Sequence, residues 1–189
     1  MKKSTTLFLF FSAALSFSVH AQSDIEPPVP GKSVVYIVRP SIYGAAMNFT
    51  YLDSATLLGR CPGPSYIRYE CDPGHHLIWA RAENRDYVEA ELAQDKVYFI
   101  LAYVGTGMIK AQVDLIPVNP SRDSKEMERI MKLINKQRPV NFNQAQLESD
   151  RIELGPAIER GLNTYADEQK RGLKHDVLPS DWYYVEESF

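Results

Sequence analysis

Two segments of this chain carry apolar side chains on both faces. Residues 33–39 read S-V-V-Y-I-V-R, and residues 96–104 read K-V-Y-F-I-L-A-Y-V. Successive side chains on a strand point to opposite sides. A strand of either composition therefore needs cover above and below, as a central strand does. Any fold open to this chain must place an apolar layer against each face of both segments.

The surrounding sequence supplies more strands. Residues 47–52 and 55–60 read as two short strands around Asp53-Ser54, and residues 66–71 as another. Pro62-Gly63-Pro64 and Asp72-Pro73-Gly74 read as turns, because these residues fix or free the backbone angle φ. Residues 75–82 follow as a strand. In residues 87–92, Val88, Ala90 and Leu92 alternate strictly with Glu89 and Glu91. Gly105-Thr106-Gly107 turns the chain, after which Ile109, Ala111, Val113 and Leu115 alternate with Lys110, Gln112 and Asp114. About seven to eight strands with turns every 6–12 residues and no intervening helix predict an antiparallel β-sandwich or small barrel over residues 32–120.

After Pro120 the period changes to helical, and residues 121–189 read as an α-helical C-terminal extension. Asp123-x-x-Glu126 resembles a capping box. Met127, Ile130, Met131 and Ile134 repeat on one helical face. A second helix is expected over residues 143–171, with Leu147, Ile158, Leu162 and Tyr165 as its buried stripe. Gly155-Pro156 should split or kink it, since proline removes a helix hydrogen bond. Residues 181–189, aromatic and acidic, read as an edge strand or a docked segment. The helical extension is expected to pack on the β domain and to supply the cover that the doubly apolar strands need.

The first 21 residues read as a secretory signal peptide. Lys2 and Lys3 precede a 13-residue apolar run at 7–19, and Val19 and Ala21 are the small residues a signal peptidase reads. A membrane-spanning helix needs roughly 20 apolar residues. No Cys stands near the cleavage point to be acylated. Residues 22–31, with Pro27, Pro28 and Pro30, read as an extended leader. Of 21 Lys and Arg, two leave with the signal peptide, so 19 face 24 acidic residues, a net charge of −5. This mildly acidic, mixed surface argues against nucleic acid as a partner, which requires a basic stripe. Export also bears on Cys61 and Cys71, which are expected to form a disulfide. Closing a loop of about 11 residues stabilises by roughly 2.8 kcal/mol on the chain-entropy model. The competing reading, half a metal site with His75 and His76, matches no common zinc spacing.

The order of motifs resembles a known group. V-Y-I-V-R-P at 35–40 is followed by N-F-T-Y-L-D at 48–53, L-L-G-R at 57–60, D-P-G-H-H-L-I-W-A at 72–80 and A-x-D-K-V-Y-F-I at 93–100. This resembles a bacterial secreted or envelope family of unknown function and the broader PEGA-type β module. The resemblance covers about residues 33–118. It implies a secreted or lipid-anchored β module and carries over no catalytic residues. The chain departs from the pattern in having Asp53-Ser54 where a D-G turn is usual.

No cofactor or metal motif is present: there is no P-loop, dinucleotide fingerprint, H-E-x-x-H or nucleophile elbow. Adjacent His75 and His76 point to opposite strand faces and so do not grip one ion together. Glu89 and Glu91, roughly 7 Å apart on one strand face, have the spacing of an acid–base pair, but an exposed polar strand face has it too and is far commoner. Arg39 is expected to pair with Asp53, Asp72 or Glu70, or to recognise an anion. The amphipathic aromatics Tyr43, Tyr66, Tyr69, Trp79, Tyr87 and Tyr103 form either a binding face or a covered core. Arg39, Tyr66, Tyr69, His76 and Trp79 are the candidate binding residues. The expected function is a non-catalytic, periplasmic or secreted envelope protein that binds a protein or cell-wall component, with a hydrolase of envelope polymers, or a structural subunit oligomerising through its helical tail, as the alternatives. Export predicts a measurable end: the chain purified from a bacterial envelope should have an intact mass beginning at Gln22, and retention of Met1 would refute cleavage.

Overall fold

The structure, a computed structural model, describes residues 25–106 and 111–185. The signal peptide and its cleavage point lie outside the described residues, as do Ile109 and residues 186–189. The elements are β1 (Ser33–Arg39), β2 (Phe49–Asp53), β3 (Thr56–Cys61), β4 (Ser65–Cys71), β5 (Gly74–Arg81), β6 (Arg85–Leu92), β7 (Val97–Thr106), β8 (Ala111–Val118), α1 (Ser124–Ile134), α2 (Gln144–Lys170) and β9 (Asp176–Leu178). They form two sheets, ordered β4-β1-β7-β8 and β3-β2-β5-β6-β9. The sheets stack as a sandwich and neither closes into a barrel.

The expectation of a purely antiparallel arrangement gives way to mixed sheets. β1 and β7 pair in parallel, Tyr36 opposite Phe99, and β9 joins β6 in parallel. The doubly apolar strands thus lie side by side in the middle of one sheet. Their inward residues, Val35, Ile37, Tyr98, Ile100 and Ala102, fill the space between the sheets with Ile78, Ala80, Val88 and Ala90 of the other sheet. Their outward residues, Val34, Tyr36, Val38, Phe99 and Leu101, pack under Met127, Ile130 and Ile134 of α1. On the other outer face Leu52, Leu77, Trp79 and Tyr87 pack under Leu154 and Ile158 of α2. The molecule is therefore four layers, helix–sheet–sheet–helix.

Both helices differ in detail from the sequence reading. Asp123 makes no side-chain cap to α1. Its carboxylate instead accepts from Asn119 N–H at 2.7 Å, holding the turn that leads into the helix. α2 runs unbroken through Pro156, with Leu154, Ala157, Ile158 and Gly161 buried around it. Packing against the sheet on both sides of the proline offsets the cost of an interior proline, lost hydrogen bond and ring clash together, roughly 3 kcal/mol in a free helix. Gly161 lies flat on the Trp79 indole, with no room for a Cβ.

The chain ends are bound too. Residues 25–29 carry no regular secondary structure and lead into a turn at 30–31, but they are docked: Arg68 donates to Pro27 C=O at 2.8 Å, and Val29 N–H donates to Glu70 at 3.1 Å. At the other end Tyr184 N–H donates to Val97 C=O at 2.8 Å, and its ring meets Phe99 edge-on. The free edge of β8 is held by side chains. Asn84 brackets Val113 N–H and C=O at 2.7 and 2.9 Å, and Asp86 accepts from Leu115 N–H at 2.6 Å.

The disulfide expected between Cys61 and Cys71 is absent; both are free buried thiols. β4 accounts for it. Ser65, at its start, donates to Cys61 Sγ at 3.3 Å, whereas Cys71 is its last residue. Six extended steps span roughly 20 Å, against a Cα separation under about 7 Å for a bridge.

If α1 is the obligatory cover for β1 and β7, Ile130→Ala should lower unfolding free energy by about 2–5 kcal/mol, the transfer and cavity contributions together. An unchanged urea midpoint would detach α1 from the core.

Candidate functional site

The two ends of the sandwich carry different polar chemistry. At one end β2 stops at Asp53, buried to 7% exposure. Tyr69 reaches across from the other sheet and donates to Asp53 Oδ2 at 2.9 Å. His76 meets the same oxygen through Nδ1 at 2.6 Å, and its Nε2 donates to Asp72 C=O at 2.8 Å. With both ring nitrogens acting as donors, the imidazole is held charged. The Asp53 bond, then the Cys71 thiol, push its pKa up to about 10 against the lowering effect of burial. Burial alone would raise the Asp53 carboxyl; the hydrogen bonds from His76 and Tyr69 outweigh it and hold the group low. A charged His with neither nitrogen free has no lone pair with which to accept a proton. In this arrangement it ties two strands and two sheets together.

Arg39 occupies the opposite end and has none of the expected carboxylate partners. Asp53 is spent on His76, Asp72 pairs with Lys32 at 2.7 Å, and Glu70 pairs with Arg68 at 3.2 Å. The guanidinium, 1% exposed, donates to Met47 C=O and Gly44 C=O, each at 2.7 Å, and lies 3.8 Å over the Phe49 ring. Nε has no partner, and burial pulls the pKa down. Gly63 closes over it so tightly that a Cβ would press on Nε. Arg39 is thus a clamp on the loop of residues 40–47. The Cys61 thiol beside it is pushed up by burial, with Ser65 and Arg39 opposing, so it is not an activated nucleophile.

The remaining candidates do not converge. Trp79 is fully buried and donates to Ser54 C=O at 2.8 Å; Tyr66 is buried and donates to Gln137 C=O at 3.1 Å. Glu89 accepts from Tyr165 at 2.9 Å and from Gln169 of α2, and Glu91 meets His75 at 2.8 Å. Burial and then the Glu89 bond raise the Tyr165 phenol. Tyr87 donates to Gly161 C=O at 2.7 Å, and burial pushes its phenol up to about 12. Each of these carboxylates and aromatics is engaged by the fold itself. Among the described residues no group of three or more His, Cys, Asp and Glu is placed to hold a metal ion. No described helix is long and apolar enough to cross a membrane.

An open groove lies where the Arg39-clamped loop faces α1. Pro40, Ile42 and Pro64 form one wall of a groove, with Tyr103 and Leu133 as its apolar floor. Arg129, Lys132 and Lys136 line the other wall. They stand at i, i+3 and i+7, one face of the helix and its continuation. Among the described residues none of the three is in an ion pair; Arg129 donates to Tyr103 Oη at 2.7 Å. Ile42 is 78% exposed at the loop tip, beside exposed Tyr43. The sequence reading passed over this cationic row. The trace it left was the spacing of 129, 132 and 136, offset from the buried 127, 130 and 134.

The Asp53–His76 pair should make stability pH-dependent. Folded His76 titrates near 10, above its ordinary 6.5, so its contribution is full below pH 6.5 and drains away up to about pH 10. Asp53 titrates below its ordinary 3.8, so its contribution is full above that and is lost as pH falls further. The wild-type unfolding midpoint should therefore fall between pH 6.5 and 10 more steeply than that of His76→Gln. At pH 6 that variant should be less stable by on the order of 2 kcal/mol. Parallel midpoint curves would show that the pair is not charged.

In comparisons with known proteins, no family model matches this chain and no curated protein matches it, so its site is read from its own geometry.

Proposed function

We propose that this chain is a non-catalytic, exported module of the bacterial envelope that takes a protein partner in the groove between residues 40–43 and α1. The observation that carries the reading is the row Arg129, Lys132 and Lys136, without ion pairs among the described residues, above an apolar floor. An apolar centre flanked by charge that a partner can neutralise is the anatomy of a protein-binding patch. The export-type leader and the resemblance of residues 33–118 to envelope β modules support a partner in the periplasm or outside the cell. The occupied nitrogens of His76 and the engaged carboxylates of Glu89 and Glu91 support binding over catalysis.

A photo-crosslinking side chain at Lys132, introduced in the cell, should give a protein adduct, and the same probe at exposed Gln112 on β8 should not. Equal labelling at both positions, or none at Lys132, would remove the groove from consideration. Hydrolysis of isolated envelope polymers by the purified chain, abolished by His76→Gln, would replace binding with catalysis.

A further inference from the structure

The opposite face of the molecule carries the complement of the groove. α2 covers the second sheet and exposes Ile152 to 67%. Pro156 is exposed one helical turn on, and a Cβ at Gly155 would meet nothing, so the helix backbone is bare there. Exposed Glu148, Glu153 and Glu159 surround this ridge. Arg151 pairs with Glu148 at 2.7 Å, leaving Glu153 and Glu159 outside any ion pair among the described residues. Residues 144–160 hold four acids and two arginines. The groove lining holds three cations and no acid.

We infer that the protein partner of the groove is a second copy of this chain, whose α2 ridge docks with Ile152 between Ile42 and Leu133 and with Glu153 and Glu159 toward Lys132 and Lys136. This rests on the reading of the groove as a protein-binding site. Three complementarities converge on it. A ridge meets a groove, an exposed apolar residue meets an apolar floor, and unpaired carboxylates meet unpaired cations. The two surfaces lie on opposite outer layers of the sandwich, so the contact is heterologous. Each copy that docks leaves one groove and one ridge free, and association continues head to tail.

Sedimentation equilibrium of the purified chain, from about 1 to 200 µM as suits a weak interface, tests the contact. At low salt the average mass should rise with concentration. At ~0.5 M salt, where the Debye length is only a few Å, it should return toward the monomer. Lys132→Glu/Lys136→Glu in the groove and Ile152→Asp/Glu159→Lys on the ridge change exposed side chains only, and each variant alone should stay monomeric. Mixed in equal amounts they should form a dimer and nothing larger, because the intact ridge of one fits the intact groove of the other. A wild type that remains monomeric at low salt, variants that associate as the wild type does, or a mixture that stays monomeric would each overturn the inference. If the Lys132 probe labels a different protein while the wild type remains monomeric, self-docking falls and the groove stands as a protein site. If the Lys132 probe labels nothing, the proposed function falls with it.

Discussion

The parallel pairing of β1 with β7 is the constraint on which the rest of this structure depends. Either strand alone needs cover on two faces. Side by side, they concentrate that need in the middle of one sheet, where five outward residues from Val34 to Leu101 would otherwise face water. Each fully buried Val, Leu, Ile or Phe contributes about 1.5–3 kcal/mol. A second sheet satisfies the inner face and α1 the outer one. Trp79, Tyr87, Leu52 and Leu77 then pose the same problem on the far side, and α2 answers it. The C-terminal residues are in this sense a structural part of the sandwich: β9 extends one sheet, and Tyr184 completes the cover over Phe99.

Apolar burial gives such layers little orientation, and the polar groups at the edges provide it. One end is pinned by a charge-assisted bond, Asp53 to His76, with Tyr69 bridging from the facing sheet. The other is pinned by a buried guanidinium that spends its donors on peptide carbonyls. The side chains of Asn84, in the turn before β6, and of Asp86, on β6, stitch that sheet to the free edge of β8. A slip of one residue at any of these places would leave a buried polar group unsatisfied, at a cost of about 1–3 kcal/mol. The residues whose chemistry looks most catalytic in the sequence are therefore those that fix register.

Much of the fold was legible because it rests on local periodicity. The two-residue alternation of Val88, Ala90 and Leu92 and the helical repeat of Met127, Ile130 and Ile134 each survive in the structure on the expected face. What periodicity does not encode is which strand lies beside which. The β1–β7 contact joins segments about 60 residues apart, and nothing in either run marks the other as its parallel neighbour. The disulfide was misread for a related reason. Nine intervening residues look like a short loop, but seven positions from Ser65 to Cys71 are an extended strand that carries the thiols to opposite ends. Arg39 shows the same limit from the side of charge, since carboxylates near in sequence are spent elsewhere and its partners are carbonyls that only the folded 40–47 loop presents. The groove required bringing residues 40–43 to residues 129–137, a juxtaposition with no local signature.

Within α1 the fold itself asks nothing of Lys132, and of Arg129 only a bond to Tyr103 Oη. The helix is held by Met127, Ile130 and Ile134, and its exposed side needs only to be polar. Glu128 stands four residues before Lys132, the favourable order for a helical ion pair. No ion pair joins them, and Lys132 lines the groove instead. Elsewhere α2 uses some of its exposed charges locally, Arg151 with Glu148 and Lys170 with Asp167, while Glu153 and Glu159 stay outside any ion pair among the described residues. Exposed pairs are worth at most about 1 kcal/mol each, so their absence on α1 costs little. What it leaves is a row of like charge beside Ile42 and Leu133, held in place by a loop that Arg39 clamps from beneath. A positioned loop, an apolar floor and uncompensated cations together form a surface whose energy changes most when something acidic and apolar covers it.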